Sequence, residues 1–134
     1  MDKIIYINKV EMIDAGLLSS STFSNQGAMI SNDLPFIELC TVGLSNFEIA
    51  DKVENKVRIF HHSLNTKLAE RLNVSNRKLC FRLTAVDGTQ YMIGTDTRPY
   101  PLVQQEELHP SELSQNCVVK LDINWKSVCF YKVL

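Results

Sequence analysis

The side chains with the most reactive chemistry in this chain are three histidines and four cysteines. Covalent catalysis by serine, threonine or cysteine needs a base within hydrogen-bond reach and a third group that orients this base. His61 and His62 are adjacent, and neighbouring residues of a strand point to opposite faces, so the two cannot serve one site. The sequence has no Gly-x-Ser-x-Gly turn of the kind that serine hydrolases use. We therefore expect a protein that is not an enzyme and has no catalytic residues.

The spacing of the cysteines and glycines favours packing and turns over ligand binding. Zinc sites place their ligands in close pairs such as Cys-x-x-Cys, whereas Cys117 and Cys129 fall in neighbouring predicted strands. Phosphate-binding loops need clustered glycines before a helix, and the five glycines here are scattered. We therefore expect no metal site and no cofactor.

The same cysteines indicate a cellular compartment. Cys40, Cys80, Cys117 and Cys129 all have apolar neighbours, which is typical of reduced, buried thiols. The apolar run near Met1 is too short for a signal peptide, and no run is long enough to span a membrane. These features favour a cytoplasmic protein that does not act at a membrane.

Arg82 and Tyr91 are the side chains that a nucleic-acid-binding protein would use. Small β-barrels bind single strands with aromatic and arginine side chains on one face, and Arg82, Tyr91 and Ile93 would share one face of a predicted hairpin. A net charge of −1 releases few counterions from a bound nucleic acid. A β-barrel module that binds single-stranded nucleic acid is therefore the alternative function, and a nucleic-acid partner is not our first expectation.

The run Arg98-Pro99-Tyr100-Pro101 is the most distinctive surface motif. A stiff, extended segment that carries Arg and Tyr suits a protein–protein interface, where both residue types are enriched at energetic hot spots. The other interpretation is that Tyr100 covers the rim of the domain while the prolines stiffen a turn. We keep these four residues as a candidate interaction site.

The elements that position these residues are strands joined by turns. Asp87-Gly88 lies between two apolar runs and predicts a hairpin with a two-residue type I′ turn. That loop length would place Leu83 opposite Met92 and Phe81 opposite Gly94. Ile4 to Ile13 and Phe36 to Val42 predict further strands.

The last third of the chain predicts a second hairpin. Residues 117–125 alternate cleanly between apolar and polar, as a half-buried antiparallel strand does. Residues 128–134 would return beside it, with Ile123 opposite Phe130 and Trp125 opposite Val128. The polar, acidic residues 102–116 would form a surface crossover.

Residues 45–72 carry two conflicting patterns. Apolar residues from Ile49 to Leu72 recur every three or four positions, which is a helical stripe. From Phe60 to Leu68, however, apolar and polar residues also alternate, and His61 to Thr66 is poor helix-forming sequence. We favour strands here.

The stretch from residue 17 to residue 34 is mostly small and polar. It offers little apolar area to offset the entropy of ordering, about 1–2 kcal/mol per backbone residue. We expect a long polar loop or arm near the N-terminus.

Together these patterns predict one all-β domain, an antiparallel β-sandwich or barrel-like fold that spans residues 1–134. A chain of 134 residues with 45% hydrophobic and 22% charged residues is ordinary for a globular protein of this size. Short strands separated by turn signals, without an internal repeat, are typical of this class.

The segment from Arg77 to Leu102 resembles small uncharacterised proteins of phages and prophages. The similarity lies in the runs Arg77–Thr84, Asp87-Gly88, Tyr91–Thr95 and Arg98–Pro101, and it extends over about residues 56–134. In those proteins the segment that corresponds to residues 56–68 is a strand. The resemblance implies a virion structural or assembly protein whose partners are further copies of itself or other virion subunits. It transfers no functional residues to this chain.

Overall fold

The computed structural model describes residues 3–19, 21–24, 27–30, 33–72, 78–97, 99–108, 118–128 and 131–133. Strands dominate these residues, and one short 3₁₀ helix spans Ala15–Leu18. No helix in these ranges is long and apolar enough to cross a bilayer. The strands are β1 (Lys3–Asp14), β2 (Thr22–Ser24), β3 (Gly27–Met29), β4 (Ile37–Glu38), β5 (Ser45–Glu54), β6 (Val57–Leu68), β7 (Leu79–Ala85), β8 (Gln90–Ile93), β9 (Leu102–Leu108), β10 (Val118–Ser127) and β11 (Tyr131–Lys132).

One large sheet contains nine of these strands. Its order is β11-β8-β7-β1-β5-β6-β10-β9, with β4 also paired to β1, and every pair is antiparallel. The sheet curls into a half-barrel. The prediction of an all-β, barrel-like antiparallel domain is therefore confirmed.

Residues 45–68 form two long strands, as we favoured from the alternating pattern. His62, Leu64, Thr66 and Leu68 are buried while the residues between them are more exposed. The helical stripe has no structural counterpart here. The strands join at Asn55 and Lys56, whose φ values of 51° and 65° form a tight turn with the twist that a hairpin needs.

The β5–β6 hairpin reaches beyond its neighbours in the sheet. The pairing of β1 with β5 ends at Ile49, and the pairing of β10 with β6 ends at Phe60. Residues 51–58, which we call the ribbon, therefore have no third strand beside them among the described residues. Two hydrogen bonds from Arg58 Nε to the Asp51 carboxylate, each 2.9 Å long, link its strands.

The β7–β8 hairpin forms where Asp87-Gly88 predicted it, but the predicted register was wrong by one residue. Leu83 pairs with Tyr91, and Arg82 pairs with Met92. The Ala85 N–H donates to Thr89 O, so the loop has three residues. Only Gly88, at φ 92°, takes the positive φ that a type I′ turn requires at two positions.

The main core lies on the inner face of the curled sheet. Its members come from β1, β5, β6, β7, β8 and β10, and they include both phenylalanines that are fully buried. The largest of its fully buried side chains are Ile7, Phe47, Leu64, Leu68, Leu79, Phe81, Leu83, Ile93 and Leu121. Burial of these large side chains supplies the main favourable free energy of folding.

A second, smaller core lies on the other face of β1, β7 and β8. Ile13, Cys80 and Met92 pack there against Leu18 of the 3₁₀ helix and Ala28 of β3. The described parts of residues 17–34 are thus folded onto the sheet, and the expected loop or arm was wrong for them. Scattered apolar residues anchor the segment although most of its residues are polar.

The predicted pairing of the last strands was also wrong. The alternating strand β10 is present as predicted, but it pairs with β6 and β9. Residues 102–108, which we expected in a crossover, are the edge strand β9. The returning segment is β11, which pairs with β8 at Tyr131 and Met92. Phe130 and residues 109–117 lie outside the described residues.

Candidate interaction surface

The segment that follows β8 is held tightly against β7. Gly94 has a φ of 95°, and a Cβ there would lie 2.8 Å from Cys80 Sγ and 2.9 Å from Pro101 Cγ. Cys80 donates a hydrogen bond from its thiol to Thr95 O at 3.2 Å. This contact requires glycine, and it fixes where the Pro99-Tyr100-Pro101 run leaves the sheet. The sequence pattern predicted Phe81, not Cys80, opposite Gly94.

Three of the four residues of the candidate interaction site are described, and Arg98 lies outside the described residues. Tyr100 is half-buried and packs on the second core, with Lys78 Nζ 5.2 Å from its ring centre. The exposed Pro99 accepts a 2.9 Å hydrogen bond at its carbonyl from the Trp125 indole N–H. Tyr100 therefore covers the rim of the domain, while Pro99 remains at the surface.

Pro99 stands between two adjoining surface pockets at the place where the ends of the curled sheet approach each other. The larger pocket has a volume of about 430 Å³, and the smaller one of about 270 Å³. Trp125 lines both, and Tyr131 of β11 lines the larger, with its ring centre 6.2 Å from that of Trp125. Val128 in the larger pocket is 63% exposed and Leu102 in the smaller is 59% exposed. We call this area the Pro99–Trp125 surface.

The two residues of the nucleic-acid alternative lie on opposite faces of the sheet, so their predicted shared face was wrong. Tyr91 is buried in the main core, where its ring centre lies 5.7 Å from that of Phe47. Arg82 faces the other side and donates to both carboxylate oxygens of Glu11, at 3.0 and 2.8 Å. The Phe36 ring lies against the Arg82 guanidinium, and its centre is 3.9 Å from Arg82 Cζ. Arg82 is thus committed to an internal ion pair.

His62 is a buried polar residue whose environment the sequence did not reveal. Its Nδ1–H donates to Trp125 O at 3.3 Å, and the other ring nitrogen is buried without a partner. The Phe47 and Trp125 rings flank it, with centres 6.0 and 4.7 Å away. Burial lowers the pKa of His62 to about 4, because the charged imidazolium would lose its hydration. A neutral His62 is therefore part of the core.

The cysteines divide between the surface and the core. Cys80 is buried as predicted, and burial raises the pKa of its thiol to about 12. Cys40 is exposed, so the expectation that it is buried was wrong. Cys117 and Cys129 lie outside the described residues. Within the described part of the chain, no group of three or more His, Cys, Asp or Glu side chains is arranged to hold a metal ion.

No protein-family model, no curated protein and no solved structure matches this chain.

Proposed function

We propose that the protein is a non-enzymatic structural or assembly component of a phage or prophage particle and acts through protein–protein contacts. The observation that carries the proposal is the Pro99–Trp125 surface. It combines two adjoining pockets with a mostly apolar lining and two exposed aliphatic side chains, Leu102 and Val128. Apolar concavities that contain Trp and Tyr are the usual sites of interface hot spots.

The packing around this surface supports a docking role. The Trp125 indole is 4% exposed and is fixed by its hydrogen bond to Pro99 O. Trp125 is therefore a rigid floor shared by both pockets, and a partner would contact mainly the exposed Leu102 and Val128 side chains without having to order the indole. The origin in a phage particle comes from the sequence resemblance over residues 56–134, which includes this surface.

The nucleic-acid alternative gains no comparable support. Arg82 is paired with Glu11 and Tyr91 is inside the main core. A phosphate group would have to displace the buried Glu11 carboxylate to reach Arg82.

The test is incorporation into particles. In cells that carry the gene within an inducible prophage, particles are induced, purified by density gradient and analysed by mass spectrometry. We expect the chain in the purified particles, and Val128→Asp should remove it because a carboxylate in the apolar pocket opposes docking. Val53→Asp is the matched control, since Val53 is an equally accessible valine on the ribbon, 72% exposed.

Both variants should keep the wild-type unfolding temperature, because neither valine is buried. Absence of the wild-type chain from purified particles would overturn the proposal. Equal incorporation of the two variants would show that the Pro99–Trp125 surface is not the contact.

A further inference from the structure

The extended residues 38–44 run from the end of β4 to the start of β5 and lie between β1 and β6. The Leu39 N–H donates to Val10 O at 2.9 Å, and the Val42 N–H donates to Lys67 O at 2.7 Å. Leu39 is buried, whereas the alternate residues of the segment are exposed. These alternate residues, which we call the strip, are Glu38, Cys40, Val42 and Leu44.

One end of the strip carries positive charge. Val42 and Leu44 line a groove of about 320 Å³ together with Lys67 and Lys120. The two lysines are directly opposite each other on β6 and β10, an arrangement in which like charges repel. Lys120 Nζ lies 3.9 Å from Asp122, while Lys67 has no carboxylate within ion-pair distance among the described residues.

The other end of the strip carries negative charge. Glu38 and Glu70 line a groove of about 150 Å³ beside Ile37, which is 52% exposed. Neither glutamate has an ion-pair partner within the described part of the chain. Arg71 also lines this groove, so the acidic end holds two carboxylates against one guanidinium.

We infer that a second copy of this chain covers the strip, related to the first by a two-fold axis that passes near Cys40. This rests on the proposed function, in which the protein works through contacts between subunits. A two-fold interface uses the same patch on both copies, so the patch must complement itself. Glu38 and Val42 lie at equal sequence distance on either side of Cys40. The rotation therefore brings Glu38 of each copy to Val42 and Lys67 of the other.

The exposed apolar residues lie where this contact would bury them. Val42 and Leu44 of the strip are 47% and 61% exposed and lie beside Lys67 in the groove at the basic end. Their removal from water would favour association. The opposite charges at the ends would select the antiparallel arrangement, because a parallel one would place like charges together.

Sedimentation velocity on the full chain at micromolar to submillimolar concentrations tests the contact. We expect a dimer that weakens as sodium chloride is raised to about 0.5 M, where charges are screened within a few ångström. Lys67→Glu and Glu38→Lys should each weaken the dimer by about tenfold or more. The double variant should restore it, because the two charges are exchanged. Lys52→Glu on the ribbon is the control and should leave the dimer unchanged.

Cys40 gives an independent readout of the axis. A short bis-maleimide should cross-link two copies of the Cys117→Ser/Cys129→Ser chain through Cys40, and adding Cys40→Ser to this background should lose the cross-linked band. Buried Cys80 is protected from the reagent. A cross-link that persists in Cys40→Ser would contradict an axis at this residue.

A wild-type chain that stays monomeric, or a dimer that is unaffected by both single charge reversals, would overturn the inference. These outcomes are separate from the particle test. A monomer that is found in purified particles would refute the two-fold pairing and leave the proposed function in place. A charge-sensitive dimer that is absent from particles would refute the proposed function and leave the two-fold pairing in place.

Discussion

Acid should destabilise this protein through His62. The side chain is 2% exposed, and its folded-state pKa of about 4 lies below the ordinary value of 6.5. As pH falls through 6.5, His62 binds a proton in the unfolded chain but stays neutral in the folded chain. The free energy of unfolding therefore falls between pH 6.5 and pH 4. The difference between the two pKa values corresponds to about 3 kcal/mol in full, of which about 2 kcal/mol is lost by pH 5.

The assay is urea unfolding followed by the fluorescence of Trp125, the single tryptophan, from pH 8 to pH 5. His62→Phe keeps the aromatic packing with Phe47 and Trp125 but cannot be protonated. It carries a constant cost from the lost hydrogen bond to Trp125 O. Its free energy of unfolding should therefore fall less than that of the wild type, by about 2 kcal/mol over this range.

His61→Gln is the control, because His61 faces the other side of β6 and is paired with Glu54 at 3.0 Å. Carboxylates that titrate at acid pH are common to all three proteins and cancel in the comparison. Parallel pH profiles for the wild type and His62→Phe would refute the reasoning.

Three further predictions concern stability, each measured by urea unfolding at pH 7. Gly94→Ala should cost about 1–3 kcal/mol because of its positive φ and close neighbours. Gly16→Ala adds a methyl group with nothing near it, so the free energy of unfolding should change little. Equal losses of stability in the Gly94 and Gly16 variants would contradict this explanation. Arg82→Leu should cost about 3–5 kcal/mol by leaving Glu11 buried without its partner, and adding Glu11→Met should recover most of it. Lys56→Gly should stabilise by about 0.5–1 kcal/mol, because relief of a left-handed lysine outweighs the entropy cost of glycine, and a loss of stability would refute that strain.

The strands could be predicted wherever one face is buried and the other is exposed to solvent. In β6 and β10 the alternation follows directly from that environment. The hairpin after β7 was visible from Asp87-Gly88, but its register was not. Asp87 accepts a hydrogen bond from the Thr89 N–H at 2.9 Å, a side-chain contact that accompanies the three-residue loop and that a dipeptide does not reveal.

Pairings between distant strands could not be read from local pattern. β9 has four consecutive polar residues, Gln104 to Glu107, and so it resembled a loop although it is the edge strand of the sheet. Gln105 of β9 illustrates the problem, since its amide exchanges hydrogen bonds of 2.8 and 3.0 Å with the backbone of Leu72. Nothing near Gln105 in the sequence indicates that partner.

The candidate site was predicted in part for the same reason. Prolines on either side of Tyr100 indicated a stiff segment at the surface, and Pro99 lies there. The contact that completes the surface comes from Trp125, on a strand far along the chain. The role of Arg82 likewise depends on Glu11, which only the pairing of β1 with β7 brings to it.

The way in which β8 is covered has a consequence for synthesis of the chain. One edge of β8 pairs with β7, and the other edge pairs with β11. Val133, which follows β11, forms a bridge to Ala28. On a ribosome, β8 emerges well before β11, and during that interval its open side can pair with any other extended chain. Nascent protein should therefore be most prone to mispairing in the interval between the emergence of β8 and that of β11.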